Sequence, residues 1–208
     1  MTPEVQRCRF GPLVIAYDGR VLVPRAWTLE QSRWAADLAA HSRPGPLLEL
    51  CAGVGHIGLA AAVLADRDLV QVEVDPVAAG FAVANADRAG RGDRVQVRVA
   101  PLEVAVRPDE RFCVVIADPP YVPSADVGRF PEDPLLAIDG GEDGLAVVRA
   151  CLSVAGRHLD AGGALVLQVA GPGQADEVAA LVTGTALRPE GTRVVDDERA
   201  VMLLRCAR

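Results

Sequence analysis

Four consecutive residues, Asp118-Pro119-Pro120-Tyr121, follow the apolar run Phe112–Ala117 and carry the most specific chemistry in the chain. A carboxylate at 118 can accept one N–H of a planar amino or amide group, and the carbonyl of Pro119 can accept the other. Two prolines fix φ, so that carbonyl cannot drift. Tyr121 offers a ring face on which a planar group stacks. Such an arrangement suits methyl transfer to an sp2 nitrogen: the lone pair is aimed by position and hydrogen bonding, with no covalent enzyme intermediate. A Pro-Pro turn with a surface tyrosine is the plain structural alternative.

A second candidate lies earlier, in Glu49-Leu50-Cys51-Ala52-Gly53-Val54-Gly55-His56-Ile57-Gly58, at a strand-to-helix turn. Gly53 and Gly55 let the backbone pass close to a ligand. Asp75 follows the next strand, at the offset of an acid that binds ribose hydroxyls. Dinucleotide sites use G-x-G-x-x-G and hold pyrophosphate at the helix N-terminus. Here Cys51 replaces the first glycine, and Glu49 would repel pyrophosphate while suiting a ligand with an ammonium and a sulfonium. Electrostatics therefore favour S-adenosylmethionine, with Glu49, Cys51, Ala52, Gly53, Val54, Gly55 and Asp75 as its candidate contacts and Asp118 facing it. His56 reads as a locally packed histidine, and Cys51 as a small residue near the ligand and not a nucleophile.

The elements that must position these groups alternate regularly. Strands are expected at Leu47–Leu50, Val70–Val74, Val95–Val99, Phe112–Ala117 and Ala164–Val169, and helices at Ile57–Ala65, Val77–Ala89, Leu145–Leu159 and Gln174–Leu181. Thr192–Asp196 and Ala200–Arg205 close the chain as a hairpin turning near Asp196-Asp197-Glu198. Such alternation builds an α/β, Rossmann-like, doubly wound and mostly parallel sheet with ligands at the carboxyl ends of its strands. Ahead of it, Arg20–Pro24 reads as a strand and Thr28–Ala40 as a helix. The Pro44-Gly45-Pro46 punctuation separates this arm (1–43) from the main domain (44–208).

Composition narrows the function classes. The chain has 208 residues and net charge -7, and all 21 basic residues are arginine, which excludes a P-loop lysine or a Schiff base. An acidic balance argues against a broad nucleic-acid surface. The 5 cysteines form no CxxC pair, so neither a metal site nor a disulfide framework is indicated. No apolar run is long enough to span a bilayer and no secretory signal is evident, so a cytoplasmic location is expected.

With these residues in view, the chain resembles the catalytic domain of the HemK/PrmC-type protein-(glutamine-N5) methyltransferases. Val21-Leu22-Val23-Pro24-Arg25 with Thr28 and Glu30 is similar to that family's entry segment, and the glycine turn with Asp75 to its first motifs. Most specific is Pro134-Leu135-Leu136-Ala137-Ile138-Asp139-Gly140-Gly141-Glu142-Asp143-Gly144-Leu145; Gln168 to Gln174 continues the likeness more loosely. The resemblance implies a seven-stranded class I methyltransferase fold, methylation of a side-chain amide on a protein such as a release factor, and acceptor contact through Asp118–Tyr121.

Three departures from the pattern stand out. The family has Asn where this chain has Asp118; a carboxylate accepts but does not donate, and similar Asp-Pro-Pro-Tyr motifs occur in nucleobase amino-methyltransferases. Pro101 stands where the family has an acid for the adenine amino group, leaving Glu103 to substitute or Leu102 to hold the ring by packing. The family's helical N-terminal domain has no counterpart, so an activator subunit or homodimer is plausible. The alternative readings are an N-methyltransferase for a nucleobase or small metabolite, and a non-catalytic partner that binds S-adenosylmethionine.

Overall fold

The computed structural model describes residues 3–207; Met1, Thr2 and Arg208, at the outer ends of the two expected segments, lie outside it. Seven strands form one sheet: β3 (Leu47–Leu50), β4 (Leu69–Glu73), β5 (Val95–Val99), β6 (Phe112–Ala117), β7 (Leu159–Val169), β8 (Leu187–Asp196) and β9 (Arg199–Cys206). Their order is β5-β4-β3-β6-β7-β9-β8, parallel from β5 to β7, with β9 antiparallel to both β7 and β8. The order reverses between β3 and β6. A crevice therefore opens at their carboxyl ends, where both candidate motifs emerge.

Alternation along the strands divides the core into two layers. Val115 and Ala117 of β6 join one cluster, and Val114 and Ile116 join the other. The first cluster is covered by α6 (Ala146–His158) and α7 (Gly171–Leu181), the second by α1 (Leu29–Ala40), α2 (His56–Ala65) and α3 (Pro76–Arg88). Central strands buried on both faces explain the unbroken apolar text of Phe112–Ala117, with every residue buried. Short helical turns α4 (Leu102–Ala105) and α5 (Leu135–Ile138) stand beside the crevice.

One expectation needs correction. Arg20–Pro24 is not a strand; the N-terminal strands are instead β1 (Gln6–Phe10) and β2 (Leu13–Tyr17), an antiparallel hairpin separate from the main sheet. Its two-residue turn begins at Gly11, whose φ of +56° is open to glycine and strained for other residues. Phe10, Leu13 and Ile15 then pack into the same cluster as Ala35 and Ala39 of α1 and Ile57 of α2. Asn85 of α3 fastens the hairpin from within: Ala16 N donates to its Oδ1 at 2.8 Å, and its Nδ2 donates to Ala16 O and Val54 O.

Candidate active site

A cavity of about 670 Å³ opens at the carboxyl ends of β3, β4 and β6, within the range of sites that hold a small cofactor. Cys51, Ala52, Gly53 and Val54 wall one side, Val74 and Asp75 the next, and Leu102 and Asp118 close it. Gly53 has φ +55°, and a β-carbon there would meet nothing within 4 Å, so the turn leaves open space toward the ligand side. Five carboxylates line the cavity (Glu73, Asp75, Glu103, Asp118, Asp139) against one arginine, Arg20. Arg20 is already held by Asp18 at 2.6 Å. A site of this sign repels a pyrophosphate and favours a ligand bearing positive charge.

Glu49 is not on the cavity wall. Strand alternation turns it beneath α2, opposite Gln71 in the β3–β4 register. Its carboxyl accepts Gly58 N at 2.8 Å and Gln71 Nε2 at 2.6 Å. Burial pushes its pKa up to about 8. Glu49 therefore occupies an amide at the start of α2 from below, which is where a pyrophosphate would need donors. Gly55 is likewise absent from the wall; it sits at φ +79°, where a β-carbon would fall 2.6 Å from Gln71 Nε2. That glycine is needed for backbone packing against β4.

Asp75 also has a different occupation from the one its spacing suggested. It is the N-cap of α3, accepting Val77 N at 2.8 Å, with Pro76 at the first helical position. The strand ends one residue earlier than its apolar pattern implied, and Glu73 is its last residue. The Glu73 carboxylate accepts Gly53 N at 2.7 Å and the Val74 and Asp75 amides at 2.8 Å each. Both acids line the cavity, but Glu73 is the one that joins the tip of β4 to the glycine turn. Its position as the terminal acid of an apolar strand is the signal that a shorter strand boundary would have exposed.

Cys51 has φ +56°, an uncommon left-handed conformation for a residue with a side chain. Its Sγ lies 3.9 Å from Cys151 Sγ. That contact, followed by burial, holds its pKa well above the usual thiol range. A thiol kept protonated suits packing beside a ligand and not nucleophilic attack. His56, also on the wall, is pushed down to about 4 by burial. Its ring meets the Phe10 ring edge-on at 4.8 Å.

In the Asp118–Tyr121 segment, Asp118 and Pro120 line the cavity, whereas Pro119 and Tyr121 lie behind that wall. Burial pushes Asp118 up to about 7 and Tyr121 up to about 12. Gln168 of β7 donates from Nε2 to the Tyr121 hydroxyl at 3.3 Å. Gln174 of α7 donates from Nε2 to the Tyr121 carbonyl at 3.2 Å and to Gly144 O at 3.3 Å.

The segment around Gly140–Gly144 is a brace for this loop. Val122 N donates to Ile138 O, and Gly140 N donates to Val122 O at 2.8 Å. Asp139 accepts both Ser124 Oγ and Gly141 N. Gly144, at φ +72°, approaches so closely that a β-carbon would lie 2.5 Å from Tyr121 O. The glutamines and Gly144 carried no assigned role in the sequence, because their partners lie 47, 53 and 30 residues away in the case of the three glutamine contacts.

Comparison with known proteins finds methyltransferases by sequence and by fold. No family model matches the chain. It is 34% identical over 163 residues to the release factor glutamine methyltransferase of Gloeobacter violaceus, covering 76% of the chain and 57% of that protein. It is 34% identical over 164 residues to the ribosomal protein uL3 glutamine methyltransferase of Bordetella pertussis, covering 73% and 53%. The chain thus spans little more than half the length of the curated relatives it matches. Among solved structures, the hMettl16 catalytic domain in complex with a MAT2A 3'UTR hairpin aligns with TM-score 0.74 at 13% identity, covering 94% of this chain and 76% of that one. A methyltransferase from Pyrococcus furiosus aligns with TM-score 0.70 at 18% identity, covering 95% and 91%. The fold is that of the class I methyltransferases.

Proposed function

The chain belongs to the HemK/PrmC-type glutamine methyltransferase family through the catalytic portion it shares with those relatives, and we propose that it methylates a planar nitrogen using S-adenosylmethionine, with a protein glutamine amide as acceptor. The observation that carries this reading is the acid-lined cavity between the glycine turn and Asp118-Pro119-Pro120-Tyr121.

The residues present fit that cofactor. Glu73 stands at the tip of β4, where the hydroxyls of a ribose find an acceptor, with Asp75, the N-cap of α3, beside it on the wall. Val74, Ala100, Pro101 and Leu102 form an apolar slot suited to adenine, with Glu103 beside it. Gly53 leaves room for the amino-acid end, with Cys51, Ala52 and Val54 around it, and Asp118 faces the region where a sulfonium is welcome. When bound, S-adenosylmethionine supplies an electrophilic methyl group on that sulfonium.

The chain's own residues orient the acceptor. Asp118 takes an N–H of the target nitrogen, and the fixed Pro119 carbonyl is the candidate for the second. Pro120 closes the wall, and Gln168, Gln174 and Gly144 hold Tyr121 in place. Positioning of this kind supplies the rate advantage by removing orientational freedom before the transfer. Leu135 and Leu136 line the same cavity and are each 61% exposed, an apolar rim that suits a protein acceptor. The arm 1–43 packs against the domain 44–208 in this reading, and the protein works in the cytoplasm. No helix among the described residues is long and apolar enough to cross a membrane.

A nucleobase or small-metabolite acceptor is the second reading, favoured by one observation: an acid, Asp118, stands at the acceptor position. Incubation with methyl-labelled cofactor against release factor, ribosomal protein uL3, ribosomal RNA and a metabolite extract separates the two. Label on a glutamine of either protein supports the first reading; label only on RNA or a metabolite overturns it. An absence of cofactor binding by calorimetry leaves the chain as a non-catalytic relative.

A further inference from the structure

Carboxyl groups at the ends of strands and in the turns of this chain take backbone donors from the residues that follow them. Glu73 accepts from Val74 and Asp75, Asp75 from Val77, Asp139 from Gly141, and Asp143 from Leu145. Such bonds stabilise the ionised form. Asp118 is followed by Pro119 and Pro120, which have no N–H to give. Among the described residues no hydrogen bond or arginine offsets its burial, which alone pushes it up to about 7.

The groups around it add no compensation. Glu49 from β3, the Cys51 thiol from the glycine turn and Tyr121 from its own loop are close enough to feel its charge, and each is destabilised by it in ionised form. Glu73, Asp75, Glu103 and Asp139 share its cavity. Arg25 and Arg199 reach toward Tyr121, but are engaged by Asp133 and Asp196. Arg20 is engaged by Asp18.

We propose that Asp118 engages the acceptor as a neutral carboxylic acid, its O–H donating to a lone pair beside the target nitrogen while its carbonyl oxygen accepts one N–H. A neutral carboxyl offers one donor and one acceptor on a single planar edge, the same complement as a primary amide. The acceptor must then carry an N–H next to a lone pair, as a primary amide does, and as an amino group beside an unprotonated ring nitrogen does. An aliphatic amine, which lacks the neighbouring acceptor, is excluded. This inference rests on the methyl-transfer reading of the site. It also removes the apparent disadvantage of an acid at residue 118, because the protonated form donates where a carboxylate cannot.

The test combines a spectroscopic and a kinetic measurement. Infrared difference spectra of the wild-type protein against Asp118→Asn, free and with bound S-adenosylmethionine, are followed from about pH 5 to about pH 9. A protonated carboxyl band belonging to Asp118, persisting to near neutrality, is expected in the free protein; with the cofactor bound the sulfonium shifts its titration downward, and the band is still expected at the acid end of the range. Label transfer to a glutamine-bearing protein acceptor should fall about tenfold per pH unit above the titration. Asp118→Asn should retain measurable transfer with a flat profile over the same range. A lysine-bearing variant of that acceptor should receive no label. Only carboxylate bands at the acid end of the range, or a wild-type rate that climbs with pH beside an inactive Asp118→Asn, would overturn the proposal. Failure of the methyl-transfer reading looks different: no cofactor binding and no label in either protein at any pH, whatever the infrared titration shows.

Discussion

The Glu73 carboxylate accepts the Gly53 amide at 2.7 Å, tying the end of β4 to the turn that follows β3. Asp75, two residues on, spends its carboxylate on the first turn of α3. We therefore propose that the two acids separate into a ligand role for Glu73 and a helix-capping role for Asp75. Glu73→Ala should weaken S-adenosylmethionine binding by about 10- to 100-fold, since charge-assisted hydrogen bonds contribute ~1.5–3 kcal/mol. Asp75→Ala should leave affinity within a few-fold and lower stability by about 1 kcal/mol through the lost cap. Calorimetric titration and thermal melts on both variants decide the matter; the reverse pattern would return the ribose role to Asp75.

Gly144 makes a different kind of prediction, because its contact is with backbone. An added β-carbon would sit 2.5 Å from Tyr121 O, at a φ of +72° that side chains rarely adopt. Gly144→Ala should cost about 1–3 kcal/mol in stability. At a temperature where the variant is folded, transfer should drop further than cofactor affinity does, since the displaced residue is Tyr121 and not the glycine turn. Equal losses in both would mean that Gly144 matters only for folding.

Much of this arrangement was legible in the sequence, and the rest failed for identifiable reasons. Phe112–Ala117 is uniformly apolar, and Leu47–Leu50 is apolar but for Glu49, because both faces of the central sheet are covered, and their boundaries follow directly. The closing hairpin was legible in part: its turn was placed, but β8 begins at Leu187 and not at Thr192. The β1–β2 hairpin escaped because Gln6-Arg7-Cys8-Arg9 is largely exposed and has no apolar face to announce it. Only Phe10-Gly11-Pro12-Leu13 signals its turn. Glu73 went unnoticed beside Asp75 because the strand ends one residue earlier than its apolar pattern implied. Glu49 lies behind the wall because of strand alternation and its register with Gln71, a relationship across 22 residues that no local pattern encodes.

Burial of Glu49 sets a pH dependence whose sign can be worked out. Its folded pKa, about 8, lies above the ordinary 4.5, so the folded state binds the proton more tightly than the unfolded chain does. Its contribution to stability is therefore fully present below about pH 4.5 and is lost as pH rises through about 8. Asp118, raised from 3.8 to about 7, acts in the same direction over a lower window. His56, depressed from 6.5 to about 4, acts oppositely and removes stability as pH falls through that interval. Glu49→Gln keeps a neutral group, and the unpartnered Oε1 of Gln71 can accept its new N–H. This variant should match the wild type near pH 4.5 and melt progressively higher as pH rises, by several degrees near pH 9, at about 2–4 °C for each kcal/mol in a chain of this size. Parallel melting curves for the two proteins across that range would show that Glu49 does not govern the alkaline loss.

Tyr121 separates ring from hydroxyl. Its hydroxyl is an acceptor for Gln168 Nε2 at 3.3 Å, and with its pKa pushed up to about 12 it stays neutral throughout the working range. A neutral hydroxyl held by Gln168 leaves the ring face as the part of Tyr121 proposed to act on a planar acceptor, once the acceptor reaches past Pro120. Tyr121→Phe should keep the ring and lose one bond of about 1 kcal/mol, a change of less than about tenfold in turnover. Tyr121→Ala removes the face as well and should raise the acceptor KM by at least about tenfold more, with cofactor affinity little altered. Gln168→Leu should resemble Tyr121→Phe, and the double variant should lose no more than either single change, because both remove the same bond. Losses that add in the double variant would mean that Gln168 serves the site through something other than Tyr121.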